Sequence, residues 1–318
     1  MTLYYDLGGF GVAAIFLFIT TYWLLKSLNV ISRFLRLSEF VAGFIFLAIG
    51  TSIPELIVGV TSAIKGVPSI SLGNIIGANI IDLTLVIGIP VILVRGIKIR
   101  ESVVKHDTYI MLGMVALPTI LMFLGRTLSR IDGVILLVSF GLYVWWVLKQ
   151  KDSFTKKVKN HVSRESAALN FTIFFISLFA LFKSADYIVM FAEKVAIGIS
   201  LPKIFIGVFI IAIGTTLPEL ITATRTAISG YKELTAGVTI GTVIVNSSLV
   251  LGVVSVISPI ETNFAYFGFS SLFLLLFAFM FVVFVSSENK LDFKEGIALV
   301  LMYVMFLLVM LSLKGVLI

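Results

Sequence analysis

Long apolar runs separated by short polar segments make up most of the 318-residue sequence. A membrane-spanning helix requires about 20 consecutive apolar residues, and the runs do not alternate between apolar and polar positions as membrane β-strands do. The pattern therefore predicts an all-α polytopic membrane protein with ten transmembrane helices. We place them at roughly 7–28, 38–64, 69–94, 107–126, 131–149, 168–192, 203–229, 234–258, 264–286 and 294–314.

An internal repeat relates the two halves of the chain at an offset of 164 positions. Residues 43–88 align without a gap on residues 207–252, with 19 identities in 46 positions, and Pro, Glu and Gly stay in register. Apolar composition alone does not produce such a register, so we infer duplication and fusion. The predicted units are a first five-helix repeat at 1–149, a polar basic linker at 150–167 and a second five-helix repeat at 168–318.

Each repeat contains an odd number of predicted helices, so the second repeat must cross the membrane in the opposite sense to the first. Such inverted-topology repeats are typical of secondary transporters, whose binding site lies near the midplane where the repeats meet. The loops after helices 1, 3, 5, 7 and 9 carry 17 of the 24 Lys and Arg residues, and the positive-inside rule places these loops in the cytoplasm. We expect a multi-pass plasma-membrane protein with both termini extracellular.

One motif with a carboxylate lies inside an apolar run of each repeat: Gly50-Thr-Ser-Ile-Pro-Glu55 and Gly214-Thr-Thr-Leu-Pro-Glu219. A charged side chain at the bilayer centre costs roughly 2.5–3.5 kcal/mol on insertion scales, so it is functional by default. Proline cannot bond the carbonyl four residues earlier, so each motif predicts an interrupted helix with a free glycine carbonyl. Carbonyl, hydroxyl and carboxylate oxygens suit hard cations such as Ca²⁺. A structural kink explains one such motif better than two at a fixed offset.

A second polar position follows 27 residues after each Glu, and it is Asp82 in the first repeat and Asn246 in the second. Ala78 shares a helix face with Asp82, and Thr242 shares one with Asn246, because each pair is four residues apart. We predict that this face meets the two Glu residues and that Asp82 is a cation ligand or a proton carrier. The alternative, an interfacial side chain that reaches water, is weaker because apolar residues flank Asp82 on both sides.

Three further features predict packing rather than transport. Small residues at 73 and 77, and at 237 and 241, allow close helix contact. Asn74 and Asn79 suit packing and hydrogen bonding on the same run. Lys183 and Asp186 lie one turn apart, which predicts a neutralising ion pair within one helix.

Composition excludes several other classes of function. The chain is 59% hydrophobic and contains no cysteine, so disulfides and thiolate metal sites are absent. Its two histidines, His106 and His161, lie in predicted loops, which makes a histidine metal site improbable. The net charge of +7 comes from short loops between helices and does not indicate nucleic-acid binding. We expect no cofactor and no enzymatic activity, because the helices contain no His-Glu-x-x-His or Ser–His arrangement.

These residues resemble the cation/calcium antiporter superfamily and, within it, the prokaryotic sodium/calcium exchangers. The resemblance rests on the two Glu motifs, each followed by a glycine-rich helix and a polar position, and it covers nearly the whole chain. It implies two inverted halves, with a site lined by helices 2, 3, 7 and 8, and exchange by alternating access with sliding of helices 1 and 6.

The resemblance also implies particular ligands. Calcium would be bound by Glu55 and Glu219 together with Thr51 and Thr215. The sodium sites would be lined by the carbonyls of Ala48 and Ala212, by Ser52 and Thr216, and by the side chains at positions 78 and 242.

The chain departs from the family pattern at three places. The family commonly has a hydroxyl at both 78 and 242, whereas Ala78 has none. It commonly has Asn in the first repeat and Asp in the second, whereas Asp82 and Asn246 are swapped. Helix 1 commonly carries an acid where this chain has Tyr22. The three site carboxylates are kept, but the lost oxygen at Ala78 puts sodium coupling in question, and Asp82 could carry a proton instead.

We therefore predict a Ca²⁺/Na⁺ antiporter in the lipid bilayer, acting as a monomer. The first alternative is H⁺/Ca²⁺ exchange on the same fold, which differs in whether sodium or a pH gradient drives the flux. A cation channel is a weaker alternative, because paired interrupted helices argue against a continuous pore.

Overall fold

Helices form almost all of the structure, a computed structural model that describes residues 2–35, 49–99, 106–149, 162–198, 202–230, 232–288 and 290–317. The first half contains α1 (Thr2–Phe34), α2 (Ile53–Ile64), α3 (Pro68–Ile81), α4 (Ile87–Leu93), α5 (Thr108–Gly125) and α6 (Arg130–Lys149). The second half contains α7 (Arg164–Gly198), α8 (Lys203–Ile206), α9 (Ala212–Ile228), α10 (Lys232–Val245), α11 (Leu251–Ile257), α12 (Phe264–Glu288) and α13 (Phe293–Leu317).

Among the described residues, three π-helical turns of five residues each connect consecutive helices. The turn π1 (Asp82–Val86) joins α3 to α4, π2 (Gly207–Ile211) joins α8 to α9, and π3 (Asn246–Val250) joins α10 to α11. π1 and π3 begin at Asp82 and Asn246, the equivalent polar positions of the two repeats. Turns of this kind are rare and frequently mark functional sites. The repeat is therefore visible in the local backbone geometry as well as in the sequence.

Nine helical runs among the described residues are long and apolar enough to cross a membrane. They are Tyr4–Leu28, Pro68–Leu93, Thr108–Gly125, Arg130–Val147, Arg164–Gly198, Lys203–Ile228, Thr235–Ile257, Phe264–Ser287 and Phe293–Ser312. Of the predicted helix at 38–64, the structure describes residues 49–64, and α2 alone is too short to span. The prediction of an all-helical, multi-pass membrane protein agrees with these nine runs.

The helices divide into a central set and a peripheral set. Of the run Pro68–Leu93, 83% is buried, against 22% of Arg130–Val147, which places α3 and α4 at the centre and α6 at the edge. α1 and α7 pack along each other with side chains such as Leu17, Leu24, Leu181 and Ile188. The same cluster of buried side chains includes Ile57 of α2 and Ile70 of α3, so α1 and α7 pack on the central helices as well as on each other. A larger cluster unites α3 to α6 with α9 to α13.

Glycines allow the centre of α3 to pack closely against α8, π2 and the start of α9. A methyl group on Gly73 would overlap the backbone of Ile204, and one on Gly77 would lie 2.7 Å from the Ala212 Cβ. The prediction of a small-residue packing face at 73 and 77 is therefore confirmed. At Gly237, the equivalent of Gly73, a methyl group would meet no described atom within 4 Å. The packing face at 237 and 241 stays a prediction.

Short backbone contacts close both ends of the bundle. β1 (Ile97–Lys98) pairs antiparallel with β2 (Lys290–Leu291), between the segments that follow α4 and precede α13. At the opposite end, Leu128 and Ile260 exchange two backbone hydrogen bonds of 3.0 Å. Each contact joins a loop of the first half to a loop of the second, so the two halves are fastened together at both ends.

The predicted ion pair between Lys183 and Asp186 is wrong. The Asp186 carboxylate pairs instead with Lys65, at 2.7 Å between Oδ1 and Nζ, and Lys65 also donates to the Asp186 carbonyl at 2.8 Å. Lys183 lies over the ring of Phe179, 5.8 Å from its centroid. The end of α2 reaches the middle of α7, so a cation from another helix takes the place of the one expected on the same helix.

We expect Gly77→Ala to lower the free energy of unfolding by about 3 kcal/mol or more, the upper range for overpacking, because the added methyl meets rigid backbone. Thermal unfolding in detergent measures the change. Gly141→Ala is the matched control, since Gly141 is exposed on α6 and a methyl there meets no described atom within 4 Å. Equal melting temperatures for Gly77→Ala and the unmodified protein would contradict the close packing.

Candidate functional site

The first Glu motif lies at a helix break, as predicted. α2 begins at Ile53, with Ser52 in a turn before it and Pro54 in its first turn, where proline loses no hydrogen bond. Thr51 and Ser52 therefore sit at the helix start, and only 1% and 2% of their surfaces are exposed. The break places both residues at the N-terminal end of the helix that carries Glu55.

The second Glu motif lies inside a continuous helix, so the predicted interruption is wrong for this repeat. α9 runs through Pro218 without a break, and the irregular turn π2 precedes it instead. The hydroxyl of Thr216 donates to the Ala212 carbonyl at 2.7 Å, and the Thr215 hydroxyl lies 3.3 Å from the same oxygen. These bonds go to Ala212, two residues before the Gly214 carbonyl that Pro218 cannot bond, so they do not explain the continuous helix.

Three carboxylates are buried at the centre of the molecule. Glu55, Asp82 and Glu219 are 0%, 1% and 4% exposed. Among the described residues, no hydrogen-bond partner reaches any of their six carboxylate oxygens. The Thr215 hydroxyl lies beside the Glu55 carboxylate and interacts with it, but the geometry falls short of a hydrogen bond. Buried charges without partners are expensive, so these groups require compensation by a cation or a proton.

The three carboxylates lie within electrostatic range of one another. Glu219 interacts with both Glu55 and Asp82, and Asp82 interacts with Glu55. Within the described ranges, no group of three acidic residues is placed to hold a metal ion by itself. A cation bound here would therefore draw some of its ligands from the hydroxyls and carbonyls around the carboxylates.

Polar side chains form hydrogen bonds across the two repeats beside these carboxylates. Thr51 and Thr242 share a hydrogen bond of 3.1 Å, and Thr215 donates to the Asn74 Oδ1 at 3.1 Å. Asn246 donates to Asn79 at 3.2 Å, and Asn79 donates to Ser247 at 2.9 Å. The hydrogen-bonding roles predicted for Asn74 and Asn79 are therefore confirmed. Ser247 was missed, although it stands between Asn246 and Ser248, and this run of three polar residues inside an apolar helix could have indicated it.

Eleven of the twelve predicted site residues are buried in this central region. They are Thr51, Ser52, Glu55, Ala78, Asp82, Ala212, Thr215, Thr216, Glu219, Thr242 and Asn246, each with at most 4% of its surface exposed. The twelfth, Ala48, lies outside the described residues. The structure thus brings together residues from both halves of the sequence, including every predicted carboxylate.

A cavity of about 260 Å³ leads towards this region between α1 and α9. Tyr22 and Lys26 line it from α1, Thr222 and Arg225 line it from α9, and Thr51 also lines it. Tyr22, at the position where the resembled family commonly has an acid, faces this cavity. Thr51 therefore connects the cavity lining with the hydrogen bonds beside the carboxylates.

Comparison with known proteins identifies the family. A family model described as sodium/calcium exchanger protein matches residues 5–149 and 169–312. The chain belongs to the sodium/calcium exchanger family. The sodium/calcium exchanger MaX1 of Methanosarcina acetivorans is 26% identical over 328 residues, which cover 91% of this chain and 93% of that one. The inner membrane protein YrbG of Escherichia coli is 27% identical over 244 residues, 74% of each chain.

Solved structures of an exchanger share the fold. A structure of the sodium-calcium exchanger NCX_Mj, soaked with 10 mM Na⁺ and zero Ca²⁺, superposes with a TM-score of 0.66 at 25% sequence identity. The superposition covers 95% of this chain and 98% of that one. The resemblance drawn from the Glu motifs is therefore confirmed at the level of the family, and the helical membrane fold matches that of a solved exchanger.

We expect Glu55→Gln to raise the melting temperature of this exchanger in chelator, because a neutral amide replaces a buried carboxylate without a partner. We also expect the variant to lose the stabilisation by Ca²⁺, which for a bound ligand reaches about 2.7 kcal/mol at a hundred times the dissociation constant. Thermal unfolding with and without Ca²⁺ measures both effects. Glu165→Gln, on an exposed part of α7, is the matched control. A Glu55→Gln protein that Ca²⁺ still stabilises would overturn the expectation.

Proposed function

We propose that this chain exchanges Ca²⁺ for Na⁺ across the plasma membrane by alternating access. The observation that carries the proposal is the cluster of three buried carboxylates without hydrogen-bond partners in the described structure. Such a cluster is costly when empty and stable when cations compensate its charge. The names of the relatives MaX1 and NCX_Mj, both sodium/calcium exchangers, support Na⁺ and Ca²⁺ as the transported ions.

We assign the ligands by chemistry and position. Glu55 and Glu219, with the hydroxyls of Thr51 and Thr215, form the calcium site. Sodium is bound by the backbone carbonyls of Ala48 and Ala212 and by the side chains of Ser52, Thr216, Thr242, Asp82 and Asn246. Ca²⁺ accepts six to eight oxygen ligands in tolerant geometry, which matches a site of mixed carboxylates, hydroxyls and carbonyls. Ala78 contributes no side-chain oxygen.

The charge of the cluster couples the two fluxes. The cavity can close over the site only when one Ca²⁺ or several Na⁺ ions offset the carboxylates, because an uncompensated triple charge is expensive to seal from water. Exchange, rather than leak, is the result. The extensive packing of α1 along α7 supports movement of these two helices as one unit.

The architecture we propose is ten helices in two inverted repeats, at 1–149 and 168–318, joined by a cytoplasmic linker. The equivalent turns π1 and π3 and the loop contacts at both ends of the bundle support this arrangement. Both termini lie outside the cell. The chain works as a monomer, because a single chain contains the complete carboxylate cluster.

One observation favours a second candidate, H⁺/Ca²⁺ exchange. Asp82 stands where the family commonly has Asn, and its two carboxylate oxygens lack hydrogen-bond partners in the described part of the chain. A desolvated carboxylate beside two others can bind a proton instead of sharing a sodium ion.

Uptake of ⁴⁵Ca²⁺ into proteoliposomes tests the proposal. We expect rapid uptake when the vesicles contain Na⁺ and none when they contain choline at matched pH, because outward Na⁺ flux drives inward Ca²⁺ flux. Glu55→Gln should abolish uptake, because it removes a calcium ligand, and Glu165→Gln should not. Uptake that ignores Na⁺ but follows an imposed pH gradient would replace the proposal by proton exchange, with Asp82 as carrier.

The side to which the cavity opens is tested by cysteine labelling, since the natural sequence contains no cysteine. We expect Thr222→Cys, in the cavity wall, to react with a membrane-impermeant thiol reagent from the cytoplasmic side, where Lys26 and Arg225 lie. Thr224→Cys, on the same helix but outside the cavity lining, should react slowly from both sides. Labelling of Thr222→Cys from the extracellular side alone would reverse the proposed orientation.

A further inference from the structure

We propose that Asn74 takes over the function of the hydroxyl that is missing at position 78, by holding the Thr215 hydroxyl in the orientation that binds a cation. This inference rests on the proposed function, in which Thr51 and Thr215 bind the transported ions. Asn74 is thus a positioning residue in the first repeat, one helical turn away from the place where the second repeat keeps its hydroxyl.

The two threonines of the site have different partners. The Thr51 hydroxyl is hydrogen-bonded to the Thr242 hydroxyl at 3.1 Å. The same contact in the other half would join Thr215 to position 78, where Ala78 offers no polar atom. Thr215 donates instead to the Asn74 Oδ1, also at 3.1 Å. Each threonine therefore has a partner from the opposite repeat, and only the position of that partner differs.

The sequence shows complementary substitutions at these two positions. The first repeat has Asn74 and Ala78, and the second has Val238 and Thr242 at the equivalent places. Residues four apart share a helix face, so each repeat presents one polar and one apolar side chain to the opposite threonine, in reversed order. The amide of Asn74 is the polar group that remains on the face that Ala78 leaves apolar.

A threonine oxygen can bind a cation only if its proton points away from that cation, and its own lone pairs are then free. The Asn74 carbonyl accepts the Thr215 proton and so keeps the lone pairs available on the side of Glu55, which lies beside this hydroxyl. Without Asn74, the Thr215 hydroxyl could turn its proton to the Ala212 carbonyl at 3.3 Å or to the Glu55 carboxylate beside it. A hydroxyl turned to that carbonyl would occupy an oxygen that we assign to the sodium site.

Asn79 shows what a structural asparagine looks like on the same helix. It is as deeply buried as Asn74, and both ends of its amide are satisfied, because Oδ1 accepts from Asn246 and Nδ2 donates to Ser247. The Nδ2 of Asn74 is buried and has no hydrogen-bond partner in the described part of the chain. An unsatisfied buried donor costs about 1–3 kcal/mol, a cost that packing alone does not explain.

Close backbone packing fixes the position of Asn74. A methyl group on Gly207 would lie 2.7 Å from the Asn74 backbone nitrogen, so π2 and α3 are in direct contact at this residue. The amide therefore meets Thr215 from a rigid backbone, as a positioning group must.

A double-mutant cycle tests the inference, with competition between Na⁺ and ⁴⁵Ca²⁺ for the purified protein as the readout. We expect Asn74→Val to weaken binding of both ions by at least about tenfold, the effect usual for removal of a group that orients a metal ligand. In a Thr215→Ala background, the same substitution should change binding by less than about twofold, because the group that it orients is gone. Asn79→Val should lower stability without any such coupling to Thr215.

Restoring the missing hydroxyl is the second arm. Ala78→Ser added to Asn74→Val should recover most of the binding, because it rebuilds the acceptor used in the other repeat. In the natural background, Ala78→Ser alone should change binding by less than about threefold, since Asn74 already fills the role. This last variant keeps the test decisive even when Asn74→Val does not fold.

Three results would overturn the inference: unchanged ion binding in folded Asn74→Val, equal effects of that substitution with and without the Thr215 hydroxyl, or a tenfold gain from Ala78→Ser alone. Failure of the proposed function is separate. It would appear as an unmodified protein in which neither ion competes for the site, whereas failure of the inference leaves that competition intact.

Discussion

Burial of three carboxylates that receive no hydrogen bond from any described residue is the constraint on which the rest of the structure depends. Removing Glu55, Asp82 and Glu219 from water costs free energy, and the binding of cations or protons is needed to offset it. A lysine beside them would remove the cost permanently and would also remove the need for an ion. The ion pairs in the described structure keep two lysines elsewhere, Lys65 on Asp186 and Lys203 on Glu193.

The duplicated halves meet at this site without being identical there. Thr51 and Thr215, and Glu55 and Glu219, are equivalent and unchanged, so the oxygens that we propose as calcium ligands are the same in the two repeats. The groups around them do not. Because both halves contribute to one site, a polar group lost from one helix can be replaced from another position, provided that the replacement reaches the same threonine.

The sequence was sufficient to predict whatever depends on residue type along one helix. Apolar runs predicted the spanning helices, and a carboxylate inside an apolar run predicted a buried functional group. The partners of these groups depend on which helices touch, and no single-helix pattern contains that information. Asp186 therefore forms an ion pair with Lys65 at the end of α2 and not with its neighbour Lys183. Asn74 likewise accepts a hydrogen bond from Thr215 of the other repeat.

Backbone irregularities were only partly predictable for a related reason. Proline predicted a break in both Glu motifs, and the break occurs only before α2. α9 continues through Pro218, and the irregular turn π2 lies upstream of it. The wide turns at Asp82 and Asn246 had no recognised sequence signal, although their equivalent positions follow from the repeat.

The hydrogen bonds of the site and the helices that control access to it are separate. The contacts Thr51–Thr242, Thr215–Asn74 and Asn246–Asn79 connect the start of α2, α3, α9, α10 and π3. None of these hydrogen bonds involves α1 or α7, which pack along each other. α1 nevertheless supplies one wall of the cavity that Thr51 also lines. Displacement of α1 and α7 would therefore open or close the cavity while the site keeps its hydrogen bonds. The charge of the bound ions would then decide whether the closed state is stable. The movement of α1 and α7 would in this way depend on the occupancy of the site.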